Sequence, residues 1–148
     1  MNAALQPATA EELGILVKAT QAVLHQRMDE VLRPLGLSVP QYVCLQTLSD
    51  TPGITGSDLA RRIFVSRQSM NVLIHGLEKR GLVIRSDEPG PRRERWVDLT
   101  PAATPLLRTA HTAVGTVAQL MTAQLDQSER DRLRAALLAC QDALLATE

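Results

Sequence analysis

The stretch from Gly53 to Thr100 constrains this chain most, because two short helical patterns, a tight turn and an arginine-rich loop follow one another with no linker between them. Its centre runs Val65-Ser66-Arg67-Gln68-Ser69-Met70-Asn71-Val72-Leu73-Ile74-His75-Gly76-Leu77-Glu78-Lys79-Arg80-Gly81. Ser66 is a capping residue and Gly81 falls just past two basic residues, so the run reads as one complete helix. At a 3.6-residue period Met70, Leu73, Ile74 and Leu77 share one face, while Gln68, Asn71, Val72, His75 and Lys79 project from the other.

Upstream, Thr55-Gly56-Ser57-Asp58-Leu59-Ala60-Arg61-Arg62-Ile63 opens with Thr55 and Asp58 at capping-box spacing and offers Leu59 and Ile63 for burial. It leads through Phe64-Val65 to Ser66, the spacing of a helix-turn-helix whose second helix enters a DNA groove while the first braces it. Gln and Asn make bidentate hydrogen bonds to adenine edges, and Ser bonds donors or acceptors, so the outer face of the second helix suits the major groove. Downstream, Leu82-Val83-Ile84-Arg85 and Arg95-Trp96-Val97-Asp98-Leu99 have strand-like composition and flank a Pro-Gly-Pro loop. Paired as a hairpin, they put Arg92, Arg93 and Arg95 at or near its tip, where guanidinium groups enter a minor groove or clamp phosphates. Taken singly, the helix is also a plain solvated amphipathic helix and the tip a solvated basic turn. Their order on the chain favours a winged helix-turn-helix.

Charge supports that reading once its distribution is considered. The 148 residues carry no formal net charge, yet Arg61 to Arg95 holds nine Lys or Arg against four Asp or Glu, and the remainder carries the matching deficit. Aromatics make up 2% of a chain that is 45% apolar, so Leu, Val and Ala must fill the core, which suits packed helices. Cys44 and Cys140 are too few and too far apart for a disulfide framework or a zinc site. No apolar run approaches a membrane span and no leader pattern opens the chain, so the expectation is a soluble cytoplasmic protein. His25, His75 and His111 are scattered, and the hydroxyls cluster at helix caps; no catalytic residue, metal site or cofactor is expected.

Outside the central stretch the patterns are those of long helices. Thr9 and Glu12 cap a helix with the stripe Leu13, Leu16, Val17, Val23, Leu24, Met28, Val31 and Leu32, which stops near Arg33-Pro34. Ser38 and Gln41 form a capping box for a helix carrying Val43, Leu45 and Leu48, with Pro40 in its first turn. After the hairpin, a helix starts either at Thr100-Pro101, kinked by Pro105, or at Thr104-Pro105, and Ser128 with Asp131 caps a last one running to the C-terminus. Three terminal helices with wide apolar stripes exceed what one small domain covers, so a two-fold dimer is expected.

The order and spacing of these elements resemble the MarR family of bacterial transcription regulators. The residues that carry the resemblance are Leu37-Ser38-Val39-Pro40-Gln41-Tyr42-Val43-Cys44-Leu45, Pro52-Gly53-Ile54-Thr55, Asp58-Leu59-Ala60-Arg61-Arg62, Ser66-Arg67-Gln68-Ser69-Met70, Leu77-Glu78-Lys79-Arg80-Gly81-Leu82-Val83, Arg92-Arg93 and Val97-Asp98-Leu99-Thr100-Pro101. What the resemblance implies is a mainly α fold with a small β-hairpin wing: one domain over 1–148, with a winged helix-turn-helix lobe at 38–100 flanked by dimerisation helices at 9–34 and 101–147. It implies a homodimer on a pseudo-palindromic operator of double-stranded DNA, most often a repressor released by a small-molecule effector such as an aromatic anion. The DNA contacts are then Thr55, Ser57, Ser66, Arg67, Gln68, Asn71, His75, Arg92, Arg93 and Arg95. Met28, Tyr42, Cys44 and His111 are the candidates for an effector site. One departure stands out: where the family's wing carries Asp two residues before its principal arginine, this chain has Pro91 ahead of Arg93.

Two other readings remain open on the sequence. One is a redox switch through Cys44 or Cys140 in place of a ligand switch, and the other is a winged-helix module that binds a protein with the same helix.

Overall fold

The computed structural model describes residues 6–87 and 95–147, and these fall into two compact units meeting at Val114–Gly115. The first contains helices α1 (Ala10–Leu32), α2 (Val39–Asp50), α3 (Gly56–Arg62) and α4 (Arg67–Lys79), strands β1 (Val83–Arg85) and β2 (Val97–Leu99), and the start of α5 (Ala103–Met121). The end of α5 and helix α6 (Gln127–Leu145) make up the second. Pro91, Arg92 and Arg93, with the rest of the hairpin loop from 88 to 94, lie outside the described residues.

Local chemistry sets most helix starts. Thr9 accepts from the Glu12 amide, Ser38 and Gln41 form a reciprocal box, and Thr55 and Ser66 accept from the amides of Asp58 and Ser69. Each bond satisfies an amide that the helix itself leaves unpaired. Helix α1 yields to a single 3-10 turn at Arg33–Leu35, where Pro34 has no amide hydrogen to continue the helix. Neither start expected for α5 is the observed one: amides of Ala103 and Thr104 bond back to the carbonyls of Thr100 and Pro101, so a tight turn feeds the helix and Pro105 sits within its first turn.

The core of the first unit draws on every element. Leu32, Leu45, Leu48, Leu59, Met70, Ile74, Leu77 and Val97 are fully buried together, and Cys44, Leu107 and Ala110 belong to the same cluster. Only the C-terminal end of α1 joins it: Leu32 is buried, Met28 and Val31 pack against the cluster, and Leu13, Leu16, Val17 and Val23 of the expected stripe are exposed.

Strands β1 and β2 pair antiparallel with Val83 opposite Leu99 and Arg85 opposite Val97. The chain before α3 adds a third, short rung: Thr55 bridges Trp96, the Val97 amide donates to Ile54 at 2.9 Å and the Gly56 amide to Arg95 at 3.3 Å. Asp98 accepts from the Gly53 amide at 2.7 Å, which needs the left-handed φ of +76° that glycine adopts without a Cβ clash. The base of the wing is thus tied by backbone to the entry of α3.

In the second unit the last helix begins two residues earlier than Ser128 and Asp131 suggest. Asp126 accepts from the Glu129 amide and Glu129 accepts from the Asp126 amide, a complete capping box. The carboxylate at the helix N-terminus also meets the positive end of the helix dipole, which a serine cannot exploit. No residue of α6 is buried; Leu133, Leu137, Leu138, Leu144 and Leu145 are exposed. Among the described residues no helix is long and apolar enough to cross a membrane. Replacing Asp126 with Ala should lower stability by about 1 kcal/mol, whereas Ser128→Ala should be close to neutral, as read by chemical denaturation followed by circular dichroism.

Candidate nucleic-acid interface

Helix α4 is buried along one side only. Met70, Ile74 and Leu77 are in the core and Leu73 packs against it, so Gln68, Asn71, Val72 and His75 are held outward at positions i, i+3, i+4 and i+7 of a single stripe. The side chains of Gln68, Asn71 and His75 make no hydrogen bond to any described residue, which leaves their donors and acceptors for an external partner. Arg67 at the head of the helix is likewise exposed and unpaired among the described residues. Ser66 is differently employed: its Oγ accepts from the Ser69 amide at 3.0 Å and bonds Ser69 Oγ at 2.9 Å, so it serves first as the cap.

The turn before α4 carries a strained residue. Phe64 has φ of +60° and is 68% exposed, a conformation that costs a β-carbon residue about 1 to 2 kcal/mol and an exposure that returns little of it. Thr55 and Ser57, nominated as DNA contacts, are half-buried at the entry of α3, where Thr55 is committed to the Asp58 amide.

Basic residues surround the stripe unequally. Arg61 pairs with Asp58, and Arg62 donates to Thr51 Oγ1 at 2.6 Å. Arg95 is exposed at the root of the wing, with no side-chain partner among the described residues. Arg85, which sequence reasoning did not single out, is half-buried against α4: its Nε lies 3.4 Å from Glu78 and its Nη2 donates to the Asn71 carbonyl at 3.4 Å. Strand alternation was the available signal, since Arg85 sits two residues beyond the buried Val83 and so faces the same side.

The four residues nominated for an effector do not converge. Tyr42 and His111 meet, with the Tyr42 hydroxyl 3.4 Å from His111 Nδ1, and Gln46 Oε1 is 3.2 Å from the same nitrogen. A cleft of about 270 Å³ opens beside them, lined by Gln46, Ser49, Leu99, Thr104, Leu107, Arg108 and His111. Met28 packs on the core and Cys44 is fully buried within it, so of the nominated set His111 alone lines the cleft. Gln46 and Arg108 were legible in principle, because each lies one helical turn from a nominated residue, Tyr42 and His111 respectively.

Burial pushes the Cys44 thiol up to about 12, and burial followed by the charge of Asp50 raises the Tyr42 hydroxyl. Cys44 therefore holds no thiolate near neutral pH and no path to an oxidant. Its raised value also means that the stability it lends is complete below its unfolded pKa and is lost only as the pH climbs from there toward 12. Cys140 on α6 is exposed.

Comparison with known proteins agrees with this geometry. The model of the MarR family matches residues 35–94. The chain is 36% identical over 102 residues to the HTH-type transcriptional repressor Rv2887 of Mycobacterium tuberculosis strain H37Rv, covering 69% of this chain and 73% of that one. Crystal structures of the M. tuberculosis MarR family protein Rv2887 are similar with a TM-score of 0.69. The complex with DNA is 29% identical over 90% of this chain and 98% of the other, and the complex with p-aminosalicylic acid is 31% identical over 87% and 98%. A MarR family transcriptional regulator from Rhodococcus sp. RHA1 shares the fold at a TM-score of 0.81 and 21% identity, over 91% of this chain and 96% of that one.

The burial pattern predicts which thiol is protected. Native protein treated with iodoacetamide at mildly alkaline pH should stay unmodified at Cys44, which should react only after denaturation; peptide mass mapping reads the outcome.

Proposed function

Because the chain belongs to the MarR family, and is thus a DNA-binding transcription regulator and not an enzyme, we propose that it works as a homodimeric repressor on a pseudo-palindromic operator and is released by a small aromatic acid. The observation that carries the DNA half is the stripe Gln68, Asn71, His75, unpaired and outward on a helix whose opposite side is fixed in the core. Arg67 at its head and Arg95 at the root of the wing supply phosphate contacts, and Arg92 and Arg93 add further ones. Thr55, Ser57 and Ser66 lie at helix starts, where amides and hydroxyls face a phosphate backbone.

The assembly follows from apolar surface. Leu13, Ile15, Leu16, Val17 and Val23 on α1, and Leu133, Leu137, Leu138, Leu144 and Leu145 on α6, are exposed in the single chain, and a second copy removes them from water. In this reading 9–34 and 101–147 form the dimer arm and 38–100 the DNA-binding lobe of one domain. Two lobes related by a two-fold axis set their α4 helices about one turn of DNA apart, roughly 10 base pairs.

The effector reading rests on the cleft of the first unit. Arg108 supplies a cation, Gln46, Ser49, Thr104 and His111 supply hydrogen bonds, and Leu99 with Leu107 supplies an apolar wall. At about 270 Å³ the cleft is at the small end of ligand sites, which suits a single-ring carboxylate such as the p-aminosalicylic acid found with Rv2887. Since Cys44 has neither thiolate nor access, a ligand switch accounts for the site better than a redox switch through that residue.

Two measurements test the pair of claims. On a duplex selected from a random library, Gln68→Ala should cost about 1 to 3 kcal/mol and relax specificity at one base pair. On the same duplex Arg93→Ala should flatten the log-log salt dependence by about 0.9 for each phosphate that the variant no longer neutralises. Wild-type behaviour of both variants would refute the surface. For the cleft, Arg108→Ala should weaken salicylate binding by about tenfold in titration calorimetry, as expected when one charge-assisted hydrogen bond is removed.

A further inference from the structure

We propose that Val72 is a specificity-determining residue that reads the C5-methyl group of a thymine in the major groove; this rests on the reading of α4 as the groove-entering helix. Val72 is 71% exposed in the middle of α4. An aliphatic side chain there does nothing for the fold, because the core side of the helix is filled by Met70, Ile74 and Leu77. Nor does it help the helix, since a β-branched residue loses rotamer freedom that Ala, Gln or Lys would keep.

Its neighbours give the position a meaning. Gln68 lies one turn before Val72, Asn71 beside it and His75 one turn after, so a single apolar knob stands among three hydrogen-bonding side chains on one stripe. Base pairs offer donors and acceptors throughout the major groove but only one apolar group, the thymine methyl. The phosphate backbone offers none. A surface made of three polar readers around one valine is therefore complementary to base edges that include a thymine.

The surroundings leave room for that contact. A hollow of about 390 Å³, lined by Asn71, Val72, His75, Glu78 and Arg85, keeps one flank of the valine open. Glu78 and Arg85 within it lie 3.4 Å apart and neutralise one another, so a methyl group packing beside them meets no unbalanced charge.

The test uses a duplex selected from a random library by the wild-type protein, with each thymine replaced in turn by deoxyuridine, which differs only by the missing methyl. At one symmetry-related pair of positions the wild type should bind about three- to tenfold more weakly without the methyl. Val72→Ala should bind the unmodified duplex more weakly by a similar factor and no longer distinguish thymine from uracil there, whereas Gln68→Ala should keep that preference. If the wild type binds the duplex but no uracil substitution alters its affinity, or if Val72→Ala retains the full preference, the assignment of Val72 is overturned while the DNA-reading surface stands. If no duplex is enriched at all, the reading of α4 fails and the assignment of Val72 fails with it.

Discussion

The one-sided burial of α4 is the constraint on which the rest depends. Met70, Ile74 and Leu77 sit in the core, and burying side chains of that size contributes on the order of 1.5 to 3 kcal/mol each. Turning the helix by one residue, about 100°, would expose part of that set and drive Asn71 or His75 into an apolar interior without partners. The direction of the outward stripe is therefore decided from behind, by the core, with no contribution from the exposed side chains themselves. Those side chains are free to vary without cost to the core.

Backbone hydrogen bonding does for the wing what packing does for the helix. The segment Ile54–Gly56 pairs with Arg95–Val97, and Asp98 holds the Gly53 amide, so the root of the hairpin is registered on the entry of α3 independently of the loop beyond it. This bears on Pro91, which replaces the aspartate that the family places before its wing arginine. A carboxylate would aim that arginine by a charge-assisted bond. Among the described residues the root of the wing is fixed in this way, and Arg85 braces it against α4 through Glu78 and the Asn71 carbonyl.

Electrostatics at the interface is a matter of which cations are already spoken for. Arg61 and Arg62 have partners in Asp58 and Thr51, and Arg85 has Glu78, whereas Arg67 and Arg95 have none among the described residues. In a chain with no net charge, this leaves one unpaired cation at the head of α4 and another at the root of the wing. A neutral protein can bind a polyanion at one face while its acidic remainder discourages indiscriminate contact.

Much of the fold was legible because its signals are local. A cap and its amide are three residues apart, and an amphipathic face repeats within two turns, so Thr9, Ser38, Thr55 and Ser66 and the two faces of α4 followed from the chain alone. Locality also explains the displaced start of α6, where Ser128-Asp131 and Asp126-Glu129 carry the same three-residue spacing and only the folded geometry separates them. The cleft beside His111 was legible only in part: helical spacing sets Gln46 one turn from Tyr42 and Arg108 one turn from His111, but it does not bring the two pairs together. Gln46 and His111 are 65 residues apart and meet because α2 and α5 pack on one core, and no pattern within either helix announces the other. The sequence by itself thus determined the elements, the caps of α1 to α4 and which side of α4 faces outward, since each is settled by neighbours along the chain. Only the tertiary structure decided that Tyr42 and Gln46 meet His111, that Arg108 shares a cleft with Gln46 and His111, that Cys44 is sealed and that Glu78 holds Arg85, because packing alone brings together groups that the chain keeps apart.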